Sequence, residues 1–339
     1  MDFNDYLNKQ AQILDDRVEE VLADVASKSE QIDPKLTKVF EKFRLASKDG
    51  KRIRGSLVLL GYKIGGGRKT ENILDAAAAF EIFQTSILAQ DDVIDKSMTR
   101  RLKPTLHQSL GGDHKAISQT ICLSDVGLFT AYRLMSTLRI EDSLKIKALN
   151  LFSQTLTQTV FGEMLDIEAP FLERDFTDKD SYKIALLKTA RYTVSGPLMV
   201  GAILAGAKTE ILKELQLYGD NLGIAFQIQD DILGVFGDEG KTGKSASSDI
   251  KESKATLLIA YAQKQADKEQ KAILKRYYGN EDIDDSGVKQ IRMVFEKTGA
   301  LDYANKQAEN YFIKSSKSLK NIKEELLLSL VEYLRMRVK

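Results

Sequence analysis

Ala76-Ala77-Ala78-Ala79-Phe80-Glu81-Ile82-Phe83-Gln84-Thr85-Ser86-Ile87-Leu88-Ala89 runs directly into Gln90-Asp91-Asp92-Val93-Ile94-Asp95. The first part is a long apolar, helix-compatible run. In the second, Asp91 and Asp95 fall one helical turn apart, so their carboxylates share a face, with Asp92 beside them. A later segment repeats the pattern: Leu222-Gly223-Ile224-Ala225-Phe226-Gln227-Ile228 leads into Gln229-Asp230-Asp231-Ile232-Leu233-Gly234. Like charges this close repel, and burying them on an apolar helix costs on the order of several kcal/mol unless a cation binds. Hard carboxylate oxygens at this spacing suit Mg²⁺, which keeps some waters and completes its shell with substrate phosphates. The two segments therefore read as facing aspartate clusters that grip a diphosphate through magnesium. Asp15-Asp16 and Asp284-Asp285 lack this context and read as solvated or loop positions.

Composition narrows the class. A chain of 339 residues with 43% apolar content can bury one large core or two modest ones. Four prolines, no tryptophan and abundant Leu, Ala, Lys and Glu favour helices. A net charge of +1 gives no bulk attraction to nucleic acid or to a membrane surface. The single cysteine, Cys122, excludes an internal disulfide and fits a reducing, cytoplasmic setting. Asp2 and Asp5 stand where a signal peptide would need a basic-then-apolar pattern. The longest apolar run, Leu198 to Ala207, is broken by Gly201 and Gly206 and is too short to span a bilayer. Only two histidines, His107 and His114, argue against a histidine-based mechanism or a zinc site.

Helical periodicity covers residues about 4–28, and Pro34 opens a second helix. Asp49-Gly50-Lys51-Arg52-Ile53-Arg54-Gly55 is a basic cluster at a loop-to-helix junction, where unpaired N–H groups and cations together make an anion site. Gly65-Gly66-Gly67 separates that helix from the one that carries Asp91. Residues 96–105 read as a polar loop closed by Pro104, and Arg100 and Arg101 within it have forked guanidinium groups suited to phosphate. Helical patterns follow at about 115–138 and 143–165, then over a stretch containing Lys188-Thr189, then at about 210–236. Pro197 kinks or restarts a helix. Gly237 to Lys244 is a Gly- and Lys-rich loop that reads as mobile and lacks the pattern of a nucleotide P-loop. Amphipathic helices resume from Asp249. No strand alternation and no internal repeat emerges, so residues 1–339 read as one all-α domain.

These residues resemble the trans-isoprenyl diphosphate synthases (polyprenyl synthetases) over nearly the whole chain. The carriers are D-G-K-R-I-R-G, D-D-V-I-D-x-x-x-x-R-R-x-x-P-T-x-H, K-T, F-Q-x-x-D-D, T-G-K and D-I-K-x-x-K-A-T-L, in that order. The resemblance implies an antiparallel helical bundle around a deep central cavity, usually a homodimer. It also implies Mg²⁺, three ions bound together with the substrate diphosphate. Asp91 and Asp95, supported by Asp92, and Asp230, with Asp231 nearby, match the metal ligands. Lys51, Arg54, Gln84 and Arg101 match binders of isopentenyl diphosphate. Arg100, Lys188, Thr189, Gln227, Lys244 and Lys254 match contacts to an allylic diphosphate (dimethylallyl, geranyl or farnesyl), and Thr189 and Gln227 also face the developing cation. Three departures stand out: Gly234 in place of a common third aspartate, Gln84 where many relatives have histidine, and Leu102 in place of a common glycine.

The implied activity is a magnesium-dependent prenyltransferase reaction in isoprenoid biosynthesis, joining isopentenyl diphosphate head-to-tail to the allylic partner. A class I terpene cyclase has no second diphosphate to hold and so does not need Lys51, Arg54 and Arg101. A non-catalytic regulatory subunit tends to lose aspartates that are intact here. Product length is expected to depend on Ser86 and Ile87, one turn before Asp91, and on Phe83 a further turn away. Small Ser86 leaves room beyond fifteen carbons, and Phe83, with Phe129 or Tyr132, forms a floor. Geranylgeranyl diphosphate is the expected product, with farnesyl or a longer prenyl diphosphate as the alternative.

Overall fold

Helix after helix forms where an apolar stripe recurs at helical spacing, and polar side chains cap the ends. In the computed structural model, which describes residues 2–48, 50–237 and 248–336, α1 (Phe3–Ile32) buries Phe3, Leu7, Leu14, Val18 and Leu22 along one stripe. Asp2 caps it by accepting from the Asp5 amide at 2.8 Å. Asp33 caps α2 (Pro34–Ala46) in the same way, with Pro34 at the first helical position, where its missing N–H costs nothing. Then come α3 (Ile53–Ile64), α4 (Leu74–Ile94), a hairpin of β1 (Thr99–Arg100) and β2 (Lys103–Pro104), the short α5 (Leu106–Ser109), α6 (His114–Ser136) and α7 (Asp142–Glu168). After α8 (Asp178–Ile184) a π-helical stretch, Ala185–Ser195, leads into α9 (Gly196–Leu204) and α10 (Thr209–Phe236). Helices Ser248–Lys251, Leu257–Gln265, Lys268–Tyr277, Asp285–Lys297, Ala300–Lys317 and Glu325–Arg335 complete the described chain. The fold class is all-α, as expected.

The helices gather into two compact units. One comprises residues 1–153, 196–213 and 324–329; the other comprises residues 154–195, 214–323 and 330–339. In the first unit α4 is the central helix and packs on α1, α3 and α6. Its Ala76 to Ala79 run is buried on every face, and the small side chains let neighbouring helices come close, while Phe80, Ile82 and Phe83 fill the space beyond. In the second unit the buried residues include Tyr218, Ile291, Phe295 and Phe312. Among the described residues no helix is long and apolar enough to cross a membrane.

Two local features depart from the sequence reading. The segment expected as a plain polar loop holds a two-residue antiparallel ladder, Thr99 opposite Pro104 and Arg100 opposite Lys103. Its two central residues, Arg101 and Leu102, have φ of 53° and 61°, as a type I′ hairpin turn demands. Glycine would meet that demand without strain, whereas Leu102 takes the left-handed backbone at a steric cost. The second feature is the π-helical stretch around Lys188-Thr189, where an ordinary helix was expected. Gly223 of α10 lies so close to Ala190 that a Cβ there would overlap its main chain.

Candidate active site

The first aspartate cluster sits at the C-terminal end of α4. Asp91 is half-buried and Asp92 buried, and Asp95 caps the helix with its amide on the Asp91 carbonyl at 2.8 Å. Arg100, delivered by β1, reaches back to both carboxylates. Its Nε lies 2.9 and 3.0 Å from the two Asp92 oxygens, and its Nη2 lies 3.0 Å from Asp91 Oδ2 and 2.7 Å from Asp92 Oδ1. The guanidinium fork thus offsets the repulsion of the acidic pair, as a charge-assisted bidentate pair does. The hairpin root is fixed by Thr105, whose hydroxyl donates to the Ser97 carbonyl at 2.9 Å and lies 3.2 Å from Nδ1 of buried His107. Burial lowers the His107 pKa, and the Asp92 carboxylate opposes that shift.

The basic turn before α3 belongs to the same unit. Lys51 is exposed, Arg54 is buried, and the N-cap of α3 is Arg52 in the left-handed region. Arg101, on the hairpin turn, has its guanidinium pKa pulled down by desolvation first, then by Arg100 and Arg52, with Glu81 opposing. Gln84 is half-buried on α4, one turn beyond Glu81. Each predicted binder of isopentenyl diphosphate therefore lies on α4, the start of α3 or the hairpin.

Farther along α4 the residues assigned to product length are Phe83, Ser86 and Ile87. Phe83 is buried, its ring 6.4 Å from that of Phe152, which also meets Phe80 at 5.0 Å and Tyr132 at 5.6 Å. Phe152 was not singled out from the sequence; an aromatic in an amphipathic helix gives no sign of the neighbours it will meet. Phe129 is a correction: it is 73% exposed, so it takes no part in this aromatic cluster. Ser86 is fully buried, its hydroxyl on the Ile82 carbonyl at 3.1 Å, and it lies directly against Gly127 of α6. Ile87 is half-buried.

The second unit holds the other predicted residues. Thr189 Oγ1 donates to Gln227 Oε1 at 2.5 Å, and Gln227 Nε2 donates to Asp231 Oδ1 at 2.7 Å. Lys188 is held between Asp166 at 2.7 Å and Glu163 at 2.8 Å. Asp231 is buried, and its pKa is pushed up by that burial, then by the nearby Asp249 and Asp230 carboxylates, while Gln227 works the other way. Asp230 is exposed. Lys254 lies 3.4 Å from Asp249 and 3.3 Å from Glu252, and its carbonyl accepts from the Tyr278 hydroxyl at 2.6 Å. Lys244 lies outside the described residues, as does most of the Gly- and Lys-rich loop expected to be mobile.

Asp249 answers the question raised by Gly234. A Cβ at position 234 would overlap the Asp249 carboxylate, with its Cγ only 2.6 Å away. The space that a third aspartate on α10 would fill is thus taken by a carboxylate from a different helix. No spacing rule in the sequence pointed to this contact, because Gly234 and Asp249 lie on separate elements. Gly234→Asp, which restores the commoner pattern, is expected to destabilise the protein by about 1–3 kcal/mol, through overpacking and like-charge crowding. Thermal melting checks this, and a variant as stable as the parent contradicts the contact.

Magnesium fits this donor set. Both units offer hard carboxylate oxygens on helices, and a buried cluster of carboxylates is relieved by a cation. Among the described residues no three His, Cys, Asp or Glu side chains converge as a ready-made metal centre.

The comparisons with known proteins agree with this chemistry. The sequence model described as polyprenyl synthetase matches residues 34–297. A geranylgeranyl diphosphate synthase of Sulfolobus acidocaldarius is 30% identical over 286 residues, 83% of either chain. A geranylfarnesyl diphosphate synthase of Aeropyrum pernix is 32% identical, covering 86% of this chain and 91% of its own. Among solved structures, a geranylgeranyl pyrophosphate synthase of Corynebacterium glutamicum, complexed with isoprenyl diphosphate and magnesium, superposes with a TM-score of 0.90 at 27% identity, covering 100% of this chain and 99% of its own. With a family match over most of its length and relatives of this identity and coverage, the chain belongs to the polyprenyl synthetase family and is a prenyltransferase that makes trans-prenyl diphosphates.

Proposed function

We propose that the protein condenses isopentenyl diphosphate with an allylic diphosphate (dimethylallyl, geranyl or farnesyl) in a head-to-tail 1′-4 coupling, with geranylgeranyl diphosphate as the main product. The observation that carries this reading is the hairpin clamp. Asp91 and Asp92, hard-oxygen donors for magnesium, and Arg100, a fork for phosphate, are already assembled within hydrogen-bond distance. Support for the product comes from the names of the relatives and from the small Ser86 before Asp91.

The residues that would hold magnesium are Asp91, Asp95 and Asp230, with Asp92 and Asp231 in support; bound with the diphosphate as three ions, it would supply charge neutralisation for the leaving group. Arg100, Lys188, Lys244 and Lys254 bind the allylic diphosphate, orient it and lower the cost of its departure. The allylic C–O bond breaks with its electron pair going to diphosphate, leaving an allylic cation. Thr189 Oγ and Gln227 Oε1 present oxygen dipoles to that cation. Lys51, Arg54, Gln84 and Arg101 hold isopentenyl diphosphate so that its double bond attacks the cation. A proton is then lost, and the departed diphosphate accepts it, so no side-chain base is required. A terpene cyclase would leave the Lys51, Arg54 and Arg101 set without work.

We assign residues 1–339 to a single polyprenyl synthetase domain, functional as a cytoplasmic homodimer. The face of α6 supports the dimer: Ile121, Val126 and Phe129 are all exposed on one helix. Phe129→Asp is expected to convert the dimer to monomer, which light scattering after size exclusion would reveal. An unchanged mass would place the interface elsewhere.

Chromatography of dephosphorylated products from each of the three allylic primers tests the product assignment, with twenty carbons expected. Phe83→Ala opens the cluster around Phe152 and is expected to lengthen the product. Ser86→Phe is expected to shorten it, with some loss of stability because Gly127 lies against Ser86. Unchanged length in both variants would mean that the floor lies away from α4.

A further inference from the structure

Glu81 and Arg52 form a buried pair behind the basic turn, and neither has a part in the chemistry described above. Glu81 is 1% exposed and Arg52 4%. Glu81 Oε1 accepts from the Gly55 amide at 2.8 Å, in the first turn of α3, and Glu81 Oε2 lies 3.6 Å from Arg52 Nη1. Arg52 is also held by Asp15 of α1 through Nε at 2.5 Å, and its Nη2 donates to the Ser47 carbonyl at 2.7 Å. Its φ of 53° is an unfavourable backbone for a residue with a Cβ, and it persists only where surrounding contacts fix it. That conformation places Arg52 in the core while Lys51 on one side stays exposed. Gly55 leaves α3 no slack, because a Cβ there would meet Leu14 at 2.9 Å and the Ala77 carbonyl of α4 at 3.1 Å.

We propose that Glu81, acting through Arg52 and the Gly55 amide, is a positioning residue for isopentenyl diphosphate: it fixes the turn carrying Lys51 and Arg54 in its binding geometry before the substrate arrives. The inference rests on the assignment of that turn to isopentenyl diphosphate. Two opposite effects of Glu81 can be told apart. As a bare negative charge behind an anion site it weakens diphosphate binding, so neutralising it would tighten binding. As a positioning residue it strengthens binding by holding cations that repel one another when the site is empty. The carboxylate also opposes the depression of the Arg101 pKa that desolvation, Arg100, Arg52 and Arg54 bring about.

The test compares steady-state kinetics of the full-length protein with those of Glu81→Gln, Arg52→Gln and the double variant. Lys51→Ala is the control for direct substrate contact. The expected result is a KM for isopentenyl diphosphate raised about tenfold in each single variant, for the loss of one charge-assisted contact. The KM for the allylic substrate and kcat should stay within about twofold, and the double variant should be no worse than the singles, because the pair acts as a unit. Faster hydrogen exchange at the Gly55 amide should accompany the kinetic change; Arg52→Gln and this exchange carry the test if Glu81→Gln proves too unstable to assay. An unchanged or lowered KM for isopentenyl diphosphate in the single variants overturns the inference. A parent protein that does not turn over isopentenyl diphosphate, or a Lys51→Ala variant with unaltered KM, instead overturns the underlying assignment of the turn.

Discussion

Asp91→Ala is expected to lower kcat/KM by a factor on the order of 10³, the range seen when a preorganised group facing developing charge is removed. The substitution takes away a hard oxygen donor for magnesium and one of the carboxylates that the Arg100 fork holds. Asp91→Asn keeps the shape of the side chain and loses its charge, so it should be nearly as damaging. Both variants should need more Mg²⁺ to reach their residual activity while melting within a few degrees of the parent, since the end of α4 is stabilised by the buried run that precedes it. A loss below about tenfold at the same magnesium concentration would remove Asp91 from the list of ligands.

Lys188→Ala carries the next largest effect. The ammonium lies between Asp166 and Glu163, so it is presented by two carboxylates. Its removal deletes a charge-assisted phosphate contact, worth about 1.5–3 kcal/mol, or roughly ten- to 150-fold in affinity. It also leaves Asp166 and Glu163 close together without their shared cation, which adds repulsion toward the allylic diphosphate. The KM for the allylic substrate should therefore rise, while that for isopentenyl diphosphate moves little. Lys51→Ala should show the reverse. Equal shifts for both substrates in both variants would mean that the cations are not divided between the two diphosphates.

The helical class and the first acidic cluster were legible in the sequence because α4 is long and apolar and ends in a charged motif. The basic turn was visible as a run of cations at a helix start, a pattern that on its own fits a solvated turn as well as an anion site, and only its place among the other motifs singled it out. The support behind that turn was not. A glutamate within an apolar helix gives no indication that it faces a backbone amide on another helix, and Arg52 looks like its two basic neighbours until its left-handed backbone turns it inward. The π-helical geometry at Lys188 is defined by i→i+5 bonding, which leaves no local pattern in the sequence, and neither does the close approach of Gly223 to Ala190. Asp249 against Gly234 is a contact between separate elements, invisible to spacing along one helix. Leu102 is the instructive middle case. Its departure from glycine was visible, but its meaning required the φ of 61° that a type I′ turn imposes.

The most direct test of the account is to incubate the pure protein with isopentenyl diphosphate and an allylic diphosphate, with Mg²⁺ and then with excess chelator. Released diphosphate and the prenyl product are followed together. The account predicts one diphosphate released for each five-carbon unit added, with activity abolished by chelation and restored by magnesium. No longer prenyl product in the presence of magnesium, or full activity in excess chelator, would contradict it.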